Sequence, residues 1–496
     1  MYRTLVHNGV AFPPPYVRQG FHNELSDLAE EMMFAYSQKL GKPVINQLFN
    51  TNFYKCLQPE LPDKYQHLPF PDADFFQSIL IQMQSAPRSH TSPSRSVSKE
   101  QYGYAIVNGK SEPLNNYIVE PPGIFIGRGN SPYTGLWKYR VQPEDIIINF
   151  ISTTVQPPEP SVGGHWKAII SNPRITYIAR YIENIGNTIH RAKEVRFAST
   201  SSIIHSSDTL KFKYSDVLLK NWNLVQAYIM KSLGSPNRRI QECALIAWLI
   251  QHTSIRIGSE ETENGVVGAS TLKVNNICIK DNTITLHFIG KDSVEYTNTF
   301  AIPVAIIRVL KRCMKGKHDN ENVFNVSAKQ VNHFLGICLP HLTAKVFRTA
   351  LAKRILLSLY KPKQFNKSWP VEYKVLKLKL LLVKVSQLLN HRKSTTSSDK
   401  HLSHLQEQLN IKLERLKILR KSGKHLDRVL KLEWKIQILQ LRIEFTEQSH
   451  DINLNTALTN YINPNIISHI CKTKNIPIDK IYSQTLIKRF RLQSCN

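Results

Sequence analysis

The side chains in this sequence that could do chemistry are phenolic and cationic. Its 496 residues include 19 tyrosines and 18 histidines, with 65 Lys and Arg against 37 Asp and Glu, for a formal net charge of +28. No paired-carboxylate cluster is set off by spacing, and no GxxxxGK(S/T) phosphate loop occurs. The seven cysteines are Cys56, Cys243, Cys278, Cys313, Cys338, Cys471 and Cys495. They contain no CxxC and no Cys/His grouping at zinc-binding spacing, and they read as reduced thiols of an intracellular protein. ATP-driven and Mg-dependent nucleic-acid chemistry are therefore not supported, and neither a cofactor nor a metal is expected. A charge this large calls for a polyanion. What remains for a polyanion-binding protein is cationic catalysis on phosphate. A phosphodiester under attack becomes a trigonal-bipyramidal phosphorane with added negative charge on its nonbridging oxygens. Arginine suits that charge because its fork is planar, bidentate and permanently protonated. The nucleophile must come from the protein or from water, and the leaving 5′ oxygen needs a proton. Tyr, two Arg, His and Lys could supply all of this, but composition does not select them from 19 tyrosines.

The elements that must position such a group change in texture along the chain. Residues 23–41 carry Leu25, Leu28, Met32, Phe34 and Leu40 at helical spacing and end at a glycine. The Ser/Pro/Arg-rich stretch 85–102 reads as a flexible connector. From 103 to 196 short strands and turns follow, among them YGYAIVNGK with its Asn-Gly pair, DIIINFIS and RITYIARYI, with PPGIFIGRGNSP as loop. The loops here are basic (Arg128, Lys138, Arg140, Lys167, Arg174), which suits phosphate contacts that set affinity rather than sequence preference. Helices are predicted over 210–257, then three strands, STLKVNNICI, TITLHFIG and VEYTNTFAI, separated by tight-turn residues. Helices resume from about 303 to 360 and again up to about Asn390. Over 400–447 two leucine stripes flank Lys-Ser-Gly-Lys at 421–424, predicting an antiparallel hairpin of two helices of about 19 residues, exposed beside a basic body. Paired stripes across a turn favour packing on each other over membrane binding. The longest apolar runs, such as LKLKLLLV at 376–383, are far too short for a bilayer span.

Local motifs make the selection that composition does not. HNGVAFPPPY at 7–16, KEQYGYAIVNGK at 99–110, EPPGIFIGRGNSP at 120–132 and PEDIIINF at 143–150 occur in order. GGHWK at 163–167, TENGVVGASTLKV at 262–274, IGKDSVEY at 289–296 and LTAKVFRT at 342–349 follow, and ALTNYINPNI and IPIDKIYSQT close the series. Together they resemble the eukaryotic (nuclear) type IB DNA topoisomerases from about residue 5 to residue 490. By matching motif, SIRIGSE places the first catalytic arginine at Arg256, and the Gly-Lys-Asp turn places the leaving-group acid at Lys291. TAKVFRT places the second arginine at Arg348, LLNH the histidine at His391, and LTNY the nucleophile at Tyr461. Arg128, Lys138, Lys167, Asp292 and Asn460 are the further DNA contacts that the resemblance implies. Each also has an ordinary reading: a surface salt bridge for Arg256, a solvated turn lysine for Lys291, a helix cap for His391, a buried structural tyrosine for Tyr461.

The implied fold is α+β, a bilobed DNA clamp with a mixed N-terminal cap, a mainly helical catalytic domain bearing a small three-stranded sheet, and a helical-hairpin linker. Its expected divisions are cap lobes over 1–196, a catalytic core over 197–394, the linker over 395–448, and a C-terminal domain with the tyrosine over 449–496. The implied activity is relaxation of supercoils of both signs through a 3′-phosphotyrosyl intermediate, without ATP or an obligatory metal. The expected partner is duplex DNA, contacted mainly on its backbone by a monomer, with no membrane. Two departures stand out. TAKVFRT continues as Ala-Leu-Ala where nuclear members more usually read Tyr-Asn-Ala, and only 70 positions separate His391 from Tyr461. The chain also begins almost at the family core, so a viral or organellar setting stands beside the expected nuclear one. A tyrosine recombinase shares the pocket chemistry, but the long N-terminal lobe and the hairpin before the tyrosine argue against it. A catalytically dead DNA-binding relative is the other alternative, and the presence of all five catalytic side-chain types argues against that.

Overall fold

A computed structural model describes residues 2–86, 95–127, 131–258, 266–290, 294–392, 399–421 and 426–492. The chain divides into two compact units, Met1–Ser206 and Ser207–Asn496. In the first, helices Asp27–Ser37, Gln47–Leu57 and Asp74–Ser85 bury Met32, Tyr36, Phe49, Phe53 and Phe76 against one another. Ser26 and Asn46 cap the first two, their side chains accepting from Ala29 N and Phe49 N. The first helix is shorter than its apolar spacing predicts, because Ser26 starts it and turns occupy 38–41.

Among the described residues this unit also holds nine strands in one sheet. Its long pair is Tyr177–Ile185 with Ile189–Phe197, antiparallel, and Ile146–Asn149 joins the first of these. Tyr104–Val107 pairs with Lys110–Asn115 through a two-residue turn in which Asn108 and Gly109 take φ of 50° and 78°. Positive φ at both positions is what the Asn-Gly pair supplies at low cost. Two readings need correction here. Residues 95–102 form a helix rather than a connector, free of Pro and Gly, with Ser98 buried and Lys99 O accepting from Gly103 N at the strand entry; residues 87–94 lie outside the described part. Gly123–Ile124, expected as loop, is a short strand paired with Trp137–Lys138.

The second unit is built around helix Arg238–Thr253, where Ala244 to Ala247, Leu249 and Ile250 are fully buried. A helix apolar on nearly every face must be wrapped by others. Helices Trp222–Ser232, Val304–Met314, Ala328–Cys338 and Ala344–Leu359 do so, together with an antiparallel sheet of Ile277–Lys280, Thr283–Gly290 and Val294–Ala301. Only the last three residues of the predicted strand STLKVNNICI are extended, in the strand Ile277–Lys280. Before them Asn276 Oδ1 accepts from Lys273 N at 2.9 Å, a local bond that closes a turn instead of a ladder. A second core joins Ala344–Leu359 and Val371–Leu388 to the C-terminal helices Leu454–Asn460, Pro464–Lys474 and Gln484–Phe490. The Ala-Leu-Ala departure sits between these cores: Ala350 is fully buried in one and Ala352 in the other. No described helix is long and apolar enough to cross a membrane.

The hairpin consists of Asp399–Lys421 and Leu426–Ser449, each a turn longer than expected. Leu405, Leu416, Leu432, Ile436, Leu439 and Ile443 form its buried seam. It is less free-standing than expected, since its second arm rests on Val371–Leu388, with Arg442 paired to Glu372 and Trp434 against Tyr373. Ile436 is 5% exposed, whereas Ile418 on the outer side is 68% exposed. Ile436→Ala is therefore expected to cost about 2 kcal/mol of stability and Ile418→Ala less than about 0.5 kcal/mol, as read by thermal unfolding followed at 222 nm. Equal effects would contradict the seam.

Candidate active site

Four separate elements deliver the candidate groups. Helix Arg238–Thr253 ends at Ser254 in a left-handed conformation (φ 57°), turning the chain through buried Ile255 to Arg256. Arg256 O accepts from Ala269 N at 2.8 Å and Ile257 O from Ser270 N at 2.7 Å, so two backbone bonds fix the segment. The two segments pass very close here: a Cβ on Gly268 would lie 2.4 Å from Gly258 Cα and 2.9 Å from Arg256 O. Helix Ala344–Leu359, capped by Thr343, carries Arg348 on its buried side. Helix Val371–Leu388 closes through Asn390 (φ 53°), with His391 N donating to Ser386 O at 2.9 Å. His391 O then accepts from Asn453 N at 2.7 Å, and Asn453 caps the short helix Leu454–Asn460 that ends at Tyr461.

Arg348 is where these elements meet. It is 4% exposed; its Nη1 donates to Tyr461 Oη at 2.5 Å and its Nη2 to Leu389 O at 3.0 Å. The same Nη2 lies 3.1 Å from His391 Nε2. Guanidinium nitrogens only donate, so this imidazole nitrogen accepts and the neutral ring carries its proton on Nδ1. The rings of His391 and Tyr461 stack with centroids 4.9 Å apart, and the guanidinium carbon lies 4.4 Å from the tyrosine ring centre. Every acceptor that Arg348 touches among the described residues is formally neutral. Arg348 Nε and His391 Nδ1 are buried with no hydrogen-bond partner among the described residues. A buried donor without an acceptor is costly, and a buried cation without an anion more so.

Burial, with the nearby Arg256 charge, pushes Arg348 down to about 10, leaving it cationic at neutral pH. Burial, then Arg348 and Arg256, push His391 down to about 3, so its ring is neutral. A pocket of about 50 Å³ opens at this point, lined by Arg256, Arg348, His391 and Arg392 and, among the described residues, by no carboxylate. Arg392 is paired with Asp451 at 3.2 Å, so the cations this pocket offers are Arg256 and Arg348; with two unmet donors and no carboxylate among its described lining residues, it fits an oxyanion such as phosphate.

Four of the five catalytic candidates are brought together, although Arg256 is less buried than the rest. Lys291 and Asp292 lie outside the described residues, but Gly290 and Val294, which flank their turn, line the same pocket. Arg128 also lies outside. Asn460 donates from Nδ2 to Thr456 O at 3.2 Å within its own helix. Lys167 is exposed. Lys138 is committed elsewhere: its ammonium lies 3.0 Å from Glu120 and 3.5 Å from buried Glu183, so its charge is already matched inside the first unit. Arg140 is likewise paired, with Glu31 at 2.9 Å. Sequence reasoning missed Arg392 and Asn453. The only available signal for Arg392 was its position next to His391, and Asn453 acts through a backbone contact that no motif announces.

Comparison with known proteins shows the family to which the chain belongs. Models of three families match in succession: the DNA-binding fragment of eukaryotic DNA topoisomerase I over residues 1–193, its catalytic core over 200–423, and the C-terminal topoisomerase domain over 433–492. The chain belongs to the eukaryotic type IB DNA topoisomerases. It is 28% identical to DNA topoisomerase 1 beta of Arabidopsis thaliana, over 99% of this chain and 58% of that one. It is 26% identical to DNA topoisomerase 1 of Homo sapiens over 99% and 70% of the two chains. For the mitochondrial DNA topoisomerase I of Rattus norvegicus the figures are 27%, 99% and 90%. The chain thus spans little more than half the length of the plant relative.

The depressed imidazole has a measurable consequence. An unfolded histidine titrates near 6.5, so between about pH 6.5 and the folded value of about 3 the unfolded chain binds more protons. This contribution to stability is present above about pH 6.5 and is lost as pH falls towards 3. In DNA-free protein the His391 ring nitrogens should show no titration between pH 8 and 5 by 15N NMR, and His391→Asn should make acid unfolding shallower. A midpoint near 6.5 would contradict the buried, cation-flanked setting.

Proposed function

We propose that this chain relaxes positively and negatively supercoiled duplex DNA by transient cleavage of one strand, acting as a monomer of the nuclear type. What supports this reading above all is the meeting of Arg256, Arg348 and His391 at one small pocket, with Tyr461 bonded to a buried Arg348 that has no anionic partner among the described residues. Tyr461 Oη attacks the phosphorus of a backbone phosphodiester, forming a P–O bond to the protein while the bond to the 5′ oxygen breaks. The product is a 3′-phosphotyrosyl ester and a free 5′ hydroxyl. Lys291 donates the proton that the leaving oxygen needs, and the phenol proton is released to solvent. Arg256 and Arg348 hold the nonbridging oxygens as charge builds on them. His391, neutral, donates a hydrogen bond without adding to the positive charge already there.

Arg348 serves before the reaction as well. Donating to Tyr461 Oη, it orients the phenol and favours charge developing on its oxygen. The tyrosyl ester keeps the energy of the broken bond, so reversal by the 5′ hydroxyl after strand rotation needs no ATP. The surrounding basic surface grips the duplex backbone without reading bases, and the net charge of +28 makes that grip strongly salt-dependent.

Purified protein is expected to relax plasmids of either sign with chelator present and nucleotide absent. Tyr461→Phe should abolish relaxation while leaving salt-sensitive duplex binding within about twofold, since it removes one oxygen and keeps the ring. Arg348→Ala should slow cleavage by about 10²–10³-fold. Relaxation by Tyr461→Phe protein would sink the nucleophile assignment. A strict requirement for ATP would sink the reaction itself.

A further inference from the structure

The second unit contains two lysines whose cations are spent entirely on protein backbone. Lys374 is 2% exposed, and its Nζ donates to Lys367 O at 3.1 Å and Lys474 O at 2.9 Å. Lys474 answers from the other side, its Nζ donating to Pro362 O at 2.8 Å and Phe365 O at 2.9 Å. Three segments are thereby tied: the loop 362–367, helix Val371–Leu388 and helix Pro464–Lys474. For Lys374 the placement is otherwise unfavourable. A cation in the first turn of its own helix opposes that helix's dipole. It is offset by the last carbonyl of Pro464–Lys474, the negative end of another helix.

The two helices joined here are the ones that carry the reacting pair. Val371–Leu388 runs on into His391, and Pro464–Lys474 begins three residues after Tyr461. Lys374 lies roughly 25 Å along its helix axis from His391, at about 1.5 Å per residue, so it touches nothing in the pocket. Near the chemistry the tyrosine segment is held by the backbone bond from Asn453 to His391 O and by the Arg392–Asp451 ion pair at 3.2 Å. An anchor at the far end fixes its angle as well as its position. From this geometry we infer that Lys374 and Lys474 form a buried double clamp that positions Tyr461 against Arg348 and His391. The inference rests on Tyr461 being the nucleophile.

The test is single-turnover cleavage of a duplex whose downstream strand is released on cutting, at saturating DNA, for wild type, Lys374→Met, Lys374→Arg and Lys474→Gln. Duplex affinity is measured for the same variants in a Tyr461→Phe background, and folding by circular dichroism. Lys374→Met strands two carbonyls and should slow cleavage by about 100-fold, the order of effect of a ~1 Å misplacement, with duplex affinity changed less than about twofold. Lys374→Arg, which keeps donors, should recover most of the rate, a rescue that lost bulk stability alone would not track. Lys474→Gln, at a half-buried position, tests the clamp independently should Lys374→Met not fold. Folded variants that cleave at the wild-type rate would overturn the clamp, as would equal losses of affinity and rate. A wild-type protein that forms no adduct would instead refute the assignment of Tyr461.

Discussion

A guanidinium buried with no anionic partner among the described residues is the constraint on which the second unit turns. Arg348 is 4% exposed, and its hydrogen bonds go to a phenol, an imidazole and a backbone carbonyl. Such a cation is tolerated only if its surroundings are rigid and its neighbours fix its orientation, because an isolated buried charge is expensive. The packing reflects this. Ala350 and Ala352 let the arginine helix sit tightly in two cores at once, and the left-handed turn at Asn390 brings Leu389 O and His391 to the same guanidinium. Arg256 comes in on a segment held by two backbone bonds beside a glycine that no larger residue could replace. The result is a cationic pocket whose groups are fixed in advance, as the proposed stabilisation of a phosphorane over a resting phosphate requires.

The tyrosine reaches Arg348 and His391 from far along the chain. Seventy positions separate it from His391, most of them spent on the hairpin. Contacts at both ends of the excursion close it. Asn453 bonds to His391 O near the site, and the two lysines tie the following helix to the base of Val371–Leu388. The latter helix is therefore shared: the hairpin lies along it, the C-terminal helices pack on it, and its end carries the imidazole.

Much of this was legible in the residues. The strand predicted at TITLHFIG is Thr283–Gly290, the Asn-Gly pair is a two-residue turn, and the leucine stripes are the hairpin seam. These are local signals, set by period and turn chemistry. What escaped depends on partners distant in sequence or on small local bonds. Residues 95–102 looked like linker by composition but fold as a helix against a strand entry. Lys138 looked like a phosphate contact, and only the fold reveals Glu120 and Glu183 beside it. The candidate site was legible through ordered motifs rather than spacing, since nothing about Arg348 or Tyr461 alone separates them from other arginines and tyrosines.

The claim that a phosphate sits between Arg348, His391 and Tyr461 during reaction is tested most directly by denaturant trapping on end-labelled duplex DNA, followed by mapping of the protein-linked peptide. The account predicts that fragments labelled at the 5′ end of the cut strand become attached to protein, through the peptide containing Tyr461. Attachment through a different tyrosine, or of the fragment carrying the 3′-end label, would contradict it.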